Sequence, residues 1–190
     1  MVFSTSFAAI NAKPSFAKYL EPYCGHEAHF LQIGAFNGEA SSYMLEHVLT
    51  NAASTLTDVD TWDESMHLHE EDLDWAEIEK QYDARLRSNI DSGRLIKKKM
   101  NGTDFFADNT QKFDFIYIDG NKAGPAILQD GMNALRCLKP NGLLAFNDSA
   151  WHKKNSAALG PNPAISALTE VFSDEISLLQ TNNLVWLRRI

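Results

Sequence analysis

Asp119 ends a short apolar run, "FDFIYID" (113–119), and Lys122 follows three residues later in a loop broken by Gly120 and Gly124. A second apolar run, "LLAFND" (143–148), ends in Asn147 and Asp148. If the two runs are neighbouring strands of one sheet, their ends lie close together and Asp119, Asn147 and Asp148 converge. Three oxygen donors in one crevice suit a hard divalent cation (Mg2+, Ca2+ or Mn2+), with water or substrate filling the remaining positions. Each residue taken singly reads rather as a turn or helix cap, the ordinary work of Asp and Asn.

Other strand ends carry chemistry of a different kind. "HFLQI" (29–33) runs into "IGAFNGEASS" (33–42), where Gly34 and Gly38 allow a tight turn and a following helix offers free N–H groups at its positive end. Ser41 and Ser42 add hydroxyls to that first turn. The glycine spacing is not Gly-x-Gly-x-x-Gly, which disfavours a nicotinamide dinucleotide, and a plain strand-to-helix connection stays open. "STLTDVD" (54–60) ends at Asp60, a position from which an acid accepts both hydroxyls of a nucleoside ribose, or simply begins a surface turn. Asp58 is expected to face away from Asp60. In "MNGTDFF" (100–106), Asn101 and Gly102 either contact a base or serve as turn residues.

These residues need elements to position them. Strands are expected at 29–33, 54–60, 94–99, 113–119, 143–148, 175–179 and 183–189, with helices at 39–50, 73–90, 125–138 and 163–172. Pro125 suits a first helical position, and Ile127, Leu128, Met132, Leu135 and Leu138 follow at helical spacing until "KPNG" (139–142) stops the helix and turns the chain. Alternating strands and helices predict right-handed crossovers and a parallel sheet covered on both faces. The final two strands, separated by a short polar turn, predict an antiparallel hairpin.

Composition narrows the class. The chain of 190 residues is 44% hydrophobic and 22% charged, ordinary values for one globular domain spanning 1–190. A net charge of −8 argues against a nucleic-acid partner. Cys24 and Cys137 form no metal or redox spacing, and the N-terminal stretch lacks the pattern of a signal peptide or membrane span, so a cytoplasmic location is expected.

Taken together, "LQIGAFNGEASS", "TLTDVDTW", "FDFIYIDGNKAG" and "LQDGMNALRCLKPNGLLAFNDSAW" resemble the class I S-adenosylmethionine-dependent methyltransferases over roughly residues 29–151. The stretches after the second, fourth and fifth strands are most similar to small-molecule and sugar O-methyltransferases of the family 24 type, and to the cation-dependent catechol and caffeoyl-CoA O-methyltransferases. Asp119-Gly-Asn-Lys122 matches their Asp-x-x-Lys, and Asn147-Asp148 stands where they carry Asp-Asn. The resemblance implies a Rossmann-like α/β fold: a seven-stranded, mostly parallel sheet with a C-terminal antiparallel hairpin and helices on both faces. It implies that Gly34, Ala35, Gly38 and Ser41 surround the methionine part of S-adenosylmethionine. Asp60 would hold the ribose and Asn101 or Gly102 lie near the adenine, with Phe36, Thr61 and Asp119 completing the cofactor set. Asp119, Asn147 and Asp148 would hold Mg2+ or another divalent cation, and Lys122 would be the general base. The reaction implied is methyl transfer to the hydroxyl of a small molecule, which the metal acidifies and the base deprotonates.

The acidic stretch 62–77, with His67 and His69, reads as a lid over the substrate or a solvated helix start ahead of a zinc site, and His152 as a loop residue or alternative base. Trp75 and Trp186 read as packing residues. Two other functions stay open: a methyltransferase of the same fold without a metal, and a module that binds the cofactor without turnover. The expected partner is a small hydroxylated molecule, not nucleic acid or membrane, and a homodimer is admitted.

Overall fold

The computed structural model describes residues 12–63, 73–147, 160–181 and 184–190. His67, His69, Asp148, Trp151 and His152 lie outside the described residues. Helix α1 (Ala12–Leu20), absent from the expected elements, comes first, with a 3-10 turn (Glu21–Tyr23) after it. Then follow β1 (His29–Ile33), α2 (Glu39–His47), β2 (Thr55–Asp60), α3 (Trp75–Asp91) and β3 (Leu95–Lys99). The chain continues through α4 (Gly102–Asp108), β4 (Phe113–Ile118), α5 (Gly124–Cys137), β5 (Leu138–Phe146), α6 (Pro161–Val171), β6 (Ile176–Gln180) and β7 (Val185–Arg189). None of the described helices is long and apolar enough to cross a membrane.

The strands form one seven-stranded sheet in the order β3-β2-β1-β4-β5-β7-β6. β1 to β5 pair in parallel, whereas β7 runs antiparallel to both β5 and β6, the expected C-terminal hairpin. The chain runs outward from β1 through β2 to β3, then returns to lay β4 on the other edge of β1. β1 and β4 therefore flank the topological switch point, where successive connections diverge and a crevice opens beyond the strand ends.

Both faces of the sheet are covered, which is why β1 and β4 read as apolar runs rather than alternating ones. Phe30, Leu56, Phe115 and Leu143 pack against α1, α2 and α3 on one face; Leu31, Ile33, Val59, Ile116 and Ile118 pack against α4, α5 and α6 on the other. Trp186 is fully buried, as the sequence predicts; it stacks on Phe115 with ring centroids 5.3 Å apart and donates from Nε1 to Ser15 Oγ at 2.9 Å. Phe16 of α1 meets Phe115, Tyr117 and Trp186 edge-on, and its burial contributes about 1.5–3 kcal/mol.

"KPNG" does not turn the chain away from the sheet. Phe113 pairs with Leu138 and Phe115 with Leu143, so residues 139–142 bulge within β5, and Asn141 takes φ 62°. The extended backbone of Leu138 already joins the sheet, and the bulge absorbs the turn chemistry.

Along the α1–α3 face the apolar row gives way toward the strand ends. Two residues beyond Phe30, Leu56, Phe115 and Leu143 stand Gln32, Asp58, Tyr117 and Ala145 in register. The next row is Gly34, Asp60, Asp119 and Asn147, held by Gly34 N to Val59 O (2.8 Å), Asp119 N to Ile33 O (2.8 Å) and Asn147 N to Ile118 O (3.0 Å). Residues two apart on a strand share a face, so Asp58 and Asp60 point the same way, which corrects the expectation that they diverge.

Candidate functional site

The turn after β1 exists because of glycine at one point above all. Gly34 has φ +87°, and a Cβ there would stand 2.5 Å from the backbone N of Gly120 and 2.6 Å from the carbonyl carbon of Asp119. The loops leaving β1 and β4 can meet at the switch point only without a side chain at this position. Phe36 follows with φ 50°.

Asp60 fixes that turn. It is fully buried; Oδ2 accepts from Ala35 N at 2.8 Å and Phe36 N at 2.9 Å, and Oδ1 accepts from Trp62 N at 2.8 Å. Trp62 returns the tie by donating from Nε1 to Phe36 O at 2.8 Å. The structure sets Asp60 beside Ala35 and Phe36, where both of its carboxylate oxygens are taken by backbone amides that organise the two loops. Thr61 is half-buried and donates to Asp63 Oδ1 at 2.9 Å.

Gly38 has a packing reason of its own. It sits at φ +81° ahead of α2, and a Cβ would lie 2.7 Å from Leu86 Cδ1 and 3.0 Å from Tyr82 Cδ2. Its bare backbone lets α3 close on α2. Ser41 is likewise buried: its hydroxyl donates to Asp58 Oδ2 at 2.6 Å, with Gln32 Oε1 3.1 Å away. Tyr82 donates to the same Asp58 oxygen at 2.8 Å, and Gln32 Nε2 donates to Gly34 O at 2.8 Å. Gln32, Ser41, Asp58 and Tyr82 therefore form a buried polar cluster behind the turn. Burial pushes the Asp58 carboxyl up to about 7, with the Asp60 charge adding to the rise and the Ser41 and Tyr82 hydrogen bonds opposing it. The same cluster drives the Tyr82 phenol upward, chiefly through burial and then the Asp58 charge. Gln32 and Tyr82 escape a motif search; the one signal in sequence is a polar residue inside each of two strands expected to be buried.

Across the crevice stands the second constellation. Asp119 Oδ1 accepts from the Lys122 ammonium and from Asn147 Nδ2 at 2.9 Å, while Tyr117 donates to Oδ2 at 3.0 Å. Lys122 is 3% exposed and Asp119 25%, so the carboxylate faces the crevice and the lysine backs it. Of the expected cation ligands, Asp119 and Asn147 are brought together, and Asp148 lies outside the described residues. The described residues by themselves do not complete a site for a divalent ion. Their one carboxylate already holds an ammonium, Asn147 donates from Nδ2 to that carboxylate while its Oδ1 is buried without a hydrogen-bond partner among the described residues, and no cluster of three acidic, His or Cys ligands occurs among those residues.

Asn101 and Gly102 begin α4, an element the sequence reading lacks. Asn101 is its N-cap: Oδ1 accepts from Asp104 N at 2.8 Å and Nδ2 donates to Asp104 Oδ2 at 2.8 Å. Gly102 is buried beneath α5, where a Cβ would stand 3.1 Å from Asp130 Oδ1 and 3.2 Å from Ile33 Cγ2. Trp75 is part of the packing, edge-on to Phe36 with centroids 6.0 Å apart.

Residues 31–149 match the sequence profile of a family described as a methyltransferase domain. Among solved structures, the fold is similar to the O-methyltransferase TomG of Streptomyces achromogenes, involved in tomaymycin synthesis and solved with SAM: TM-score 0.67, 12% identity, 98% of this chain and 81% of that one. It is also similar to an rRNA methylase from Streptococcus thermophilus, with TM-score 0.62, 13% identity and coverage of 93% and 95%. A third is the N-methyltransferase NodS of Bradyrhizobium japonicum WM9, solved with S-adenosyl-L-homocysteine, with TM-score 0.60, 15% identity and coverage of 94% and 87%. No curated protein matches the chain by sequence.

Proposed function

The chain belongs to the methyltransferase-domain family, as a class I S-adenosylmethionine-dependent methyltransferase, and we propose that it methylates a hydroxyl of a small molecule in the crevice between the Gly34 turn and Asp119. The observation that carries this reading is the pairing of those two edges. A glycine turn locked by Asp60 faces a carboxylate whose exposed side looks into the same switch-point crevice.

The described residues fit an adenosyl cofactor. Gly34 to Asn37 and the start of α2 offer bare backbone and a positive helix end to its methionine part, and Asp60 keeps that backbone in place. When bound, S-adenosylmethionine supplies an electrophilic methyl on a sulfonium. The protein orients the acceptor and handles its proton. Asp119 is the reachable group and accepts the hydrogen bond of the incoming hydroxyl; Lys122 and Tyr117 hold its carboxylate in one orientation. Lys122 takes the proton itself only after its ammonium has given one up and left Asp119. Support for an oxygen acceptor comes from this ionised pair, since a hydroxyl must lose its proton during transfer, and from the likeness to TomG. A divalent cation has no part in the reading, because the described donors do not complete a site for one.

The test is transfer of a labelled methyl from S-adenosylmethionine to a panel of small phenols, sugars and hydroxy acids, alongside calorimetry with S-adenosylhomocysteine. Asp119→Asn should cut turnover about a hundredfold while leaving S-adenosylhomocysteine affinity within about threefold. Cofactor binding without transfer to any hydroxyl would move the chain to the binding-module reading; absence of binding would remove the cofactor assignment.

A further inference from the structure

The Ser41 hydroxyl has one hydrogen and two acceptors within its reach: Oγ stands 2.6 Å from Asp58 Oδ2 and 3.1 Å from Gln32 Oε1. All three side chains are buried. With Asp58 ionised, the carboxylate takes that hydrogen and Gln32 Oε1 is left buried without a donor. With a proton on Oδ2, Asp58 donates to Ser41, Ser41 donates on to Gln32, and Gln32 Nε2 donates to Gly34 O at 2.8 Å. Only the protonated acid gives each group of this series a partner.

The surroundings favour the same state. Asp58 Oδ1 is buried with no hydrogen-bond partner among the described residues, which costs a neutral carbonyl less than a charged carboxylate. Burial also pushes the carboxyl up to about 7. Asp60 on β2 adds a second negative charge nearby, and Tyr82 on α3 donates to Oδ2 at 2.8 Å. Lys97, the register partner of Asp58 on β3, is turned to Glu79 at 2.8 Å and Asp83 at 2.7 Å, both on α3. Glu39 on α2 meets Arg85, and Tyr117 on β4 gives its hydroxyl to Asp119.

The series ends on the carbonyl of the residue whose bare backbone lets the loops leaving β1 and β4 meet. Resting on the cofactor assignment above, we propose that Asp58 is a positioning residue for the cofactor turn. Its proton directs Ser41 and Gln32 onto the Gly34 carbonyl, and the turn holds the adenosyl cofactor more tightly while that proton is present. When the proton leaves, Gln32 loses its donor, its hold on Gly34 weakens and the turn loosens. Affinity therefore falls as pH rises, and by linkage the bound cofactor makes Asp58 harder to ionise.

Calorimetry with S-adenosylhomocysteine at about pH 6 and about pH 8 tests this, since the two values bracket the titration. The wild type should bind about fivefold more weakly at the higher pH, the scale of a modest coupling between two sites. Asp58→Asn places an amide donor where the acid carried its proton, and should keep the low-pH affinity at both values within about twofold. Ser41→Ala breaks the series with Asp58 intact, and should bind at both values as weakly as the wild type does at the higher one. A merely structural role for Asp58 would shift affinity by one factor at both values and leave the wild-type ratio in place; that result overturns the proposal. Equal wild-type affinities at the two values, or a wild-type ratio retained in Ser41→Ala, overturn it whether or not Asp58→Asn folds. A wild type that binds at neither value removes the cofactor assignment itself, and this proposal with it.

Discussion

Lys122, 3% exposed, backs Asp119, 25% exposed, and its ammonium donates to the carboxylate that faces the crevice. The lysine therefore sets the orientation of the acid that an acceptor meets first. Replacing it by Met leaves Asp119 with Tyr117 and Asn147 as its side-chain partners among the described residues. Lys122→Met should lower the methyl-transfer rate about a hundredfold and leave S-adenosylhomocysteine affinity nearly unchanged. Single-turnover kinetics and calorimetry separate the two quantities, and an unchanged rate would make the pair merely structural.

The same ion pair governs metal dependence. With Asp119 holding an ammonium and Asn147 Oδ1 the one atom of the pair left without a hydrogen-bond partner among the described residues, a divalent ion gains no complete site from them. Turnover should persist through exhaustive chelation, and titration with Mg2+ or Mn2+ should give no binding heat. Activity lost with chelator and restored by Mg2+ would bring back a cation held by Asp119, Asn147 and Asp148.

Asp60 should matter through its hydrogen bonds to the turn. Asp60→Ala leaves the N–H groups of Ala35, Phe36 and Trp62 without their acceptor in a buried setting. Stability should fall by about 3 kcal/mol or more, and cofactor affinity at least tenfold as the turn loosens. Denaturant unfolding and calorimetry report each effect; a variant as stable as the wild type would show that the turn holds its shape unaided.

The two turn glycines should differ in their response to a methyl group. At Gly34 the added Cβ meets the backbone of Gly120, which cannot step aside, and Gly34→Ala should cost about 3 kcal/mol or more. At Gly38 it meets the tips of Leu86 and Tyr82, which can shift, and Gly38→Ala should cost about 1–2 kcal/mol. Reversal of that order in urea unfolding would contradict the packing described here.

Asp58 makes stability depend on pH. Its carboxyl is raised from 3.8 to about 7 in the fold, so between those values the folded protein keeps a proton that the unfolded chain has released. Stability from this group is present below that window and is lost as pH rises through it; Asp130 acts with the same sign. The unfolding temperature should therefore fall between about pH 4 and pH 7, and Asp58→Asn should reduce the fall. An equal fall in the variant would assign the pH dependence elsewhere.

Much of this was written in local sequence. Strand and helix alternation, the glycines after β1 and the polar residues ending β2, β4 and β5 all follow from short-range rules: side-chain period, turn conformation and the need to keep polar groups at strand ends. α4 was not legible, because seven residues opening on glycine hold too few turns for periodicity to show. The partners were not legible either. Asp60 meets backbone 24 and 25 residues away, Gly38 rests on a helix more than 40 residues on, and Asp130 faces Gly102 across two elements. Sequence named the groups able to do chemistry, since each carries its donors and acceptors wherever it sits. Only the packed sheet decided which carboxylate faces the crevice, which is held by backbone amides, which is paired with lysine and which is buried without a partner among the described residues, because those depend on distances that chain order does not contain.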